Sequence, residues 1–246
     1  MKRRDFLKTG GAAIAGGALI GVSGSLATSC LSPTGRDRDL GSTDVLVVGG
    51  GPAGVCAAIA AARCGAKTVI VEQGNCLGGM ATRGLVAPFM TCYDTTGEIM
   101  VIRGLFEEIV DRLVALGGAI HPSQVRAGTP FSAWITKGHD HLTPFDAETL
   151  KFVLDQMCDE AGVKVMFHST LVDPLIVGDS VRGIRLLNRE GLCTIGAKVT
   201  IDCTGDGDVA ARAGAPCTYG NPEIGKVQPS TLFFHINNVD TPRPQA

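Results

Sequence analysis

Apolar residues along this chain fall into two alternating rhythms, short unbroken runs and longer stretches with helical spacing. Asp44-Val45-Leu46-Val47-Val48 is a β-branched run of the kind a strand needs when both its faces are buried. The alanine-rich stretch Val55 to Cys64, closed by Gly65, predicts a helix with a glycine C-cap. Lys67 to Val71 predicts the next strand. Val101 to Leu116 predicts an amphipathic helix with Ile102, Leu105, Phe106, Ile109, Val110, Leu113 and Leu116 on its apolar face. A second such helix, Asp146 to Ala161, carries Leu150, Phe152, Val153 and Met157 and is stopped by Gly162. Val163 to Phe167 predicts a further strand. Leu171 to Ile195, with turns at Gly178-Asp179 and Arg189-Glu190-Gly191, predicts a small antiparallel meander. Val199 to Cys203 is another buried strand, followed by a glycine turn and a helix over Val209 to Ala213. Residues 85–100 and 117–145 are irregular and suited to lining a substrate pocket. Strand and helix in alternation predict an α/β fold: a doubly wound parallel sheet with a β-meander insertion.

Composition sharpens this picture at the ends. The 246 residues are 45% hydrophobic and 19% charged, with 33 glycines and a net charge of −2, which suits a turn-rich globular chain. Nucleic-acid binding needs a concentrated positive field, and none is present. The chain opens Met1-Lys2-Arg3-Arg4-Asp5-Phe6-Leu7-Lys8 and then runs from Gly10 to Ala27 without a charge. That is the layout of a signal peptide, and Arg-Arg-x-Phe-Leu-Lys resembles the twin-arginine export motif, which directs folded proteins to the periplasm. Six glycines in that stretch make it too weakly apolar for a stable membrane span. Small residues before Cys30 resemble a lipoprotein processing box, so a lipid anchor at Cys30 is one expectation. Residues 1–30 thus read as leader and 31–42, mixing charge with turn formers, as a linker, with the fold beginning near Thr43.

The chemistry concentrates at glycines. The first strand ends directly in Gly49-Gly50-Gly51-Pro52-Ala53-Gly54, a helix follows, and the second strand ends at Glu72, 18 residues beyond Gly54. In a dinucleotide fingerprint Gly49 permits the tight turn, Gly51 lets the backbone approach a pyrophosphate and Gly54 lets helix and strand pack closely. The helix N-terminus, entered through Pro52 and Ala53, offers N–H groups and a positive dipole end to phosphates. Glu72 is placed to accept hydrogen bonds from ribose hydroxyls and would repel a 2′-phosphate, which disfavours NADP. This unit alone leaves FAD and NAD both open. No Cys-x-x-Cys occurs, and His139-Asp140-His141 lacks metal-ligand helix spacing, so it reads as a solvated loop rather than a metal site. No catalytic acid or base stands out.

Two further segments bear on the cofactor. Gln73-Gly74-Asn75-Cys76-Leu77-Gly78-Gly79-Met80-Ala81-Thr82 follows the acidic residue closely, and Ile201-Asp202-Cys203-Thr204-Gly205-Asp206-Gly207-Asp208 closes a late strand. With FDAETLKFVLDQMCDEAGVKV between them, they resemble the FAD-dependent oxidoreductase family of the glutathione-reductase-like superfamily, over residues 44–217 or so. The resemblance implies a Rossmann-like FAD-binding domain over 43–217, with Gln73, Gly78, Gly79, Met80 and Ala81 bordering the flavin side. It implies Thr204, Gly205 and Asp206 at the ribityl–pyrophosphate region, although Asp206 equally suits a helix N-cap, and the Val172 backbone at the adenine. It also implies a small-molecule substrate, with the flavin carrying the hydride. Cys203 departs from the family's usual alanine. Family members continue well beyond this length, so residues 218–246, with Gln228 to Ile236 as a strand, are expected to begin a second, substrate domain. A missing C-terminal segment or partner chain would complete it. An exported flavoenzyme and a non-catalytic FAD-binding remnant both remain compatible with this reading, and an NAD-dependent dehydrogenase would require the two later segments to be coincidence.

Overall fold

The computed structural model describes residues 37–221, 223–236 and 238; the leader, Cys30 and the first part of the linker lie outside them. Among these residues six strands and four α-helices follow one another as β1 (Arg38–Val48), α1 (Pro52–Arg63), β2 (Thr68–Val71), α2 (Leu105–Ala115), α3 (Ala147–Glu160), β3 (Lys164–Met166), β4 (Thr170–Val177), β5 (Ser180–Asn188), β6 (Gly191–Asp202) and α4 (Asp208–Arg212). The strands form one sheet in the order β3-β2-β1-β6-β5-β4. The pairs β3–β2, β2–β1 and β1–β6 are parallel, and β6–β5 and β5–β4 are antiparallel. The fold is the expected α/β class.

Alternation within β1 and β2 explains why their sequences are apolar throughout. Val47 and Ile70 point to one face, where they share a core with Val55, Ala58 and Ile59 of α1, Ile109 and Leu113 of α2, and Leu150, Val153, Leu154 and Met157 of α3. Leu46, Val48, Val69 and Val71 point to the other, and there the partners are Ile184, Leu186, Cys193, Ile195 and Ala197 of the meander, with Val209 of α4. So α1–α3 cover one face and the meander closes over the other. Its curvature follows from chain length. Only residues 167–169 join β3 to β4, although these strands are the two edges of the sheet. Five strand spacings would put the edges about 24 Å apart in a flat sheet, whereas that link reaches about 14 Å. The sheet must therefore fold back on itself.

Four expectations need correction. Strand β1 starts at Arg38, inside the stretch read as linker. The charges that made 37–42 look solvated are paired, Asp37 with Arg185 and Arg38 with Glu190. The meander and the late strand are one element, because β6 runs unbroken from its pairing with β5 into its parallel pairing with β1. On α3, Phe152 is 58% exposed while Leu150, Val153, Leu154 and Met157 are buried; a residue two positions from Leu150 falls on the far side of a 3.6-residue turn. Ile102 and Leu116 likewise lie outside α2 and exposed. Finally, residues 228–236 form no strand, and Leu232 is 85% exposed. Among the described residues no neighbouring strand offers the hydrogen bonds that would make one.

Candidate cofactor site

The carboxyl ends of β1, β2 and β6 surround a cleft of about 570 Å³, in the size range of small-molecule sites. Glycines build it in two different ways. At Gly49 (φ +102°) an added Cβ would stand 2.2 Å from the Cys203 carbonyl oxygen, and at Gly54 1.9 Å from that of Gly49. Those two positions are glycine because the protein's own backbone fills the space. At Gly51 (φ −67°) and Gly205 an added Cβ would meet nothing within 4 Å, and both residues line the cleft, although the φ of +90° at Gly205 itself favours glycine. Their missing side chains leave room for something outside the chain. Helix α1 then starts at Pro52 with no side chain capping it, which leaves its first N–H groups facing the turn.

Glu72 ends β2 and is only 6% exposed. Its Oε2 accepts from Gly50 N at 2.7 Å, and its Oε1 accepts from Gly74 N at 2.6 Å and from the Arg83 guanidinium at 3.2 Å. A carboxylate has about four lone-pair positions, so one is left on Oε2. The glycine loop that follows is tied to the fingerprint: Gly78 N donates to Gly50 O at 2.8 Å, and a Cβ on Gly79 would stand 3.0 Å from Gly51 Cα. Thr82 braces the loop by donating to Leu77 O at 2.7 Å. Met80 is left 62% exposed over the cleft.

The third side comes from β6 and α4. Asp202 Oδ1 accepts from the hydroxyl and N–H of Thr204, and Oδ2 from Ala210 N at 2.9 Å. Burial pushes this carboxyl up, but the N–H groups of Ala210, Thr204 and Val209 and the Thr204 hydroxyl outweigh it and hold it below the ordinary aspartate range. Arg212, four residues after Asp208 on the same helix face, reaches the Val172 carbonyl, and both Arg212 and Asp208 line the cleft. Cys203 also lines it, with its thiol raised by burial.

Residues 44–246 match the family described as FAD dependent oxidoreductase, and residues 1–19 match the twin-arginine translocation pathway signal sequence. The chain belongs to the FAD-dependent oxidoreductase family. Its cofactor is FAD, and its signal marks it for export across the cytoplasmic membrane. It is similar to the thiamine thiazole synthase of Aeropyrum pernix, at 30% identity over 181 residues that make up 69% of this chain and 57% of that protein. To the thiamine thiazole synthase of Methanococcus aeolicus it is 28% identical over 198 residues, 76% of this chain and 62% of that one. The chain thus spans less than two thirds of the length of these curated relatives. Among solved structures it is similar to THI4 of Thermovibrio ammonificans, at 22% identity, 70% coverage of this chain, 61% of that chain and a TM-score of 0.46.

The cleft brings together Gly49, Gly51, Pro52, Ala53, Glu72, Gln73, Gly79, Met80, Thr204 and Gly205. The other residues singled out from the sequence do not line it. Gly54 is spent on packing, Gly78 is the left-handed residue that starts the 79–81 turn, and Ala81 is core. Asp206 is exposed, while the first N–H groups of α4 are met by Thr204 Oγ1, which accepts from Asp208 N, and by Asp202, which accepts from Ala210 N. Val172 gives its carbonyl to Arg212, and it is Ser169, Thr170 and Leu171 that line the cleft from the start of β4. Arg83, Gly84, Asp208 and Arg212 also went unnoticed in the sequence. The spacing of Asp208 and Arg212 at four on a helix opening from a glycine turn is a signal that finds two of them. His141 corrects the reading of residues 139–141 as a solvated loop. It is 5% exposed and stacks on Tyr93 with ring centroids 4.1 Å apart.

Proposed function

We propose that the chain acts as an exported flavoenzyme that oxidises or reduces a small molecule, with FAD as its hydride carrier. The observation carrying this reading is Gly51: its φ of −67° suits any residue and no protein atom lies within 4 Å of an added Cβ, yet it is glycine and opens into the cleft. Bound there, FAD would supply an acceptor or donor for a hydride. The chain's own groups would position it. The Gly49–Gly54 turn and the uncapped start of α1 would hold the pyrophosphate, where N–H groups and the helix dipole favour negative charge. The remaining lone pair of Glu72 would accept from a ribose hydroxyl, and Arg83, already on the same carboxylate, would help hold it in place. Gly79 and Met80 would border the flavin side, and Thr204 and Gly205 the ribityl side. The visible absorption of the purified full chain after gel filtration with FAD tests the reading. Retained flavin bands, lost in Gly51→Val, are the expected result; a colourless protein that takes up no FAD would sink it.

Two finer readings go with this one. A lipid on Cys30 would hold the exported protein at a membrane, supported by the small residues preceding that cysteine; a free Cys30 thiol in the mature protein would exclude it. A further segment or partner chain would complete the substrate region, supported by the exposed apolar side chains of Leu232, Phe234 and Ile236. Unchanged flavin reduction when a downstream segment is supplied in trans would count against that.

A further inference from the structure

A second cavity of about 400 Å³ lies between the two irregular segments, lined by Thr91, Asp94, Thr95, Thr96, Arg126, Asp140 and His141 with two glycines. No Val, Leu, Ile or Met side chain lines it, so hydrogen bonds rather than an apolar wall decide which ligand it selects. The lining is organised for that. Arg126 Nη1 meets His141 Nε2 at 3.1 Å, and since a guanidinium only donates, the imidazole accepts there. His141 Nδ1 then carries the proton and donates to the Pro122 carbonyl at 3.1 Å. A buried, stacked histidine thus holds one end of the exposed Arg126 guanidinium, whose other N–H groups make no hydrogen bond among the described residues.

The two acids play a different part. Asp94 Oδ1 accepts from Glu98 N, Ile99 N and the Thr96 hydroxyl, which braces its own loop. Asp140 Oδ1 accepts from Ala127 N at 2.9 Å. Among the described residues neither forms an ion pair with Arg126. The Thr95 hydroxyl and Asp140 Oδ2 also have no partner among those residues. Thr95, Arg126 and Asp140 are exposed, so the cavity presents these donors and acceptors to solvent, where an incoming ligand can reach them. Its charge selects among ligands: an anion would meet two carboxylates, and a cation would meet the guanidinium. A neutral molecule with adjacent hydroxyls, each both donor and acceptor, matches the whole set.

We propose that this cavity binds a neutral polyhydroxylated small molecule, a sugar or polyol, by holding neighbouring hydroxyls between Arg126 and Asp140. Naming that molecule a substrate rests on the flavoenzyme reading; the binding itself does not. Gly84 lines the cofactor cleft and Thr91 this cavity, so the seven-residue span between them limits their separation to about 25 Å.

Saturation-transfer NMR on the full chain tests this, with glucose and sorbitol as neutral probes, succinate as the anion and tetramethylammonium as the cation. Transfer to a neutral probe is expected, with apparent affinity falling about tenfold in Arg126→Met and Asp140→Asn, as for a lost charge-assisted hydrogen bond. Arg83→Met, in the other cleft, should leave it unchanged. Thr95→Val, in an exposed loop, supplies a milder variant should either of the first two fail to fold. Transfer to neither neutral probe, transfer to a charged probe alone, or equal transfer in the folded variants overturns the proposal. Visible absorption of the same samples with FAD separates the two readings. FAD uptake without polyol binding removes only this proposal, and polyol binding without FAD uptake removes only the flavoenzyme reading.

Discussion

The two cavities are built from different materials. The cofactor cleft is framed by backbone: glycine turns at the ends of β1 and β6 and the first turn of α1, held by contacts that leave no room for a Cβ at Gly49 or Gly54. The second cavity is framed by side chains on segments with little regular structure, where isolated bridges at Phe89–Thr143, Tyr93–Met100 and Ala119–Phe145 replace a sheet. A backbone site owes its shape to the strand order and tolerates little change. A side-chain site can be altered one residue at a time while the fold stays.

The sharpest way to break this contrast is at the glycines. Gly54→Val should cost more than about 4 kcal/mol, because backbone atoms occupy the new side chain's space. Gly51→Val should leave stability within about 1 kcal/mol while abolishing FAD uptake. Denaturant unfolding beside flavin absorption reads both, and equal destabilisation by the two would erase the distinction. Next comes the shared core beneath the cleft: Leu113→Ala should cost about 2–5 kcal/mol, from lost burial and an unfilled cavity, measured by the same unfolding. His141→Ala should cost about 1–3 kcal/mol and loosen residues 126–141 to proteolysis, since it deletes the Pro122 and Arg126 hydrogen bonds. FAD uptake should survive. If it falls in parallel, the two regions are one unit and the contrast is wrong.

The smallest effect is at the N-cap of α3. The Thr149 hydroxyl and N–H hold the Asp146 carboxyl below its ordinary range. A lowered carboxyl stabilises the fold fully above its unfolded value of about 3.9 and loses that contribution as the pH drops through the folded value. Asp146→Ala should therefore cost about 1 kcal/mol at neutral pH, and the gap from the parent should close below about pH 4. Cysteine labelling adds an independent check. Burial pushes the Cys158 thiol up to about 12, so Cys64 and Cys217, both exposed, should react at neutral pH while Cys158 stays protected until unfolding.

The same difference in material governs what could be read from the sequence. Gly49, Gly51, Gly54 and Glu72 follow a fixed spacing because backbone geometry repeats, and the cleft contains three of them. Arg83 carries no such spacing constraint and reaches the cleft through a long side chain, while Arg212 is marked only by its four-residue spacing from Asp208. Thr170 and Leu171, rather than Val172, line it because β4 follows β3 after only three residues, a consequence of the curled sheet. The start of β1 was hidden for a related reason. Charged residues at 37–42 signal a tether unless their partners, Arg185 and Glu190, are known, and those lie far along the chain. Around His141 the local sequence says only that the residues are polar. Its burial comes from Tyr93 and Val125, neither of which falls in a recognisable pattern.

The position of β1 sets a timetable for synthesis. Val45 pairs with Thr68 on one side and with Val199 on the other. While the ribosome is making the intervening residues, the first strand stands with one row of N–H and C=O groups unmet. The last central pairing forms only when residue 202 has emerged. An export route that threads an unfolded chain would carry β1 across before β6 could pair with it. A twin-arginine leader suits a protein whose earliest strand must wait for one of its latest.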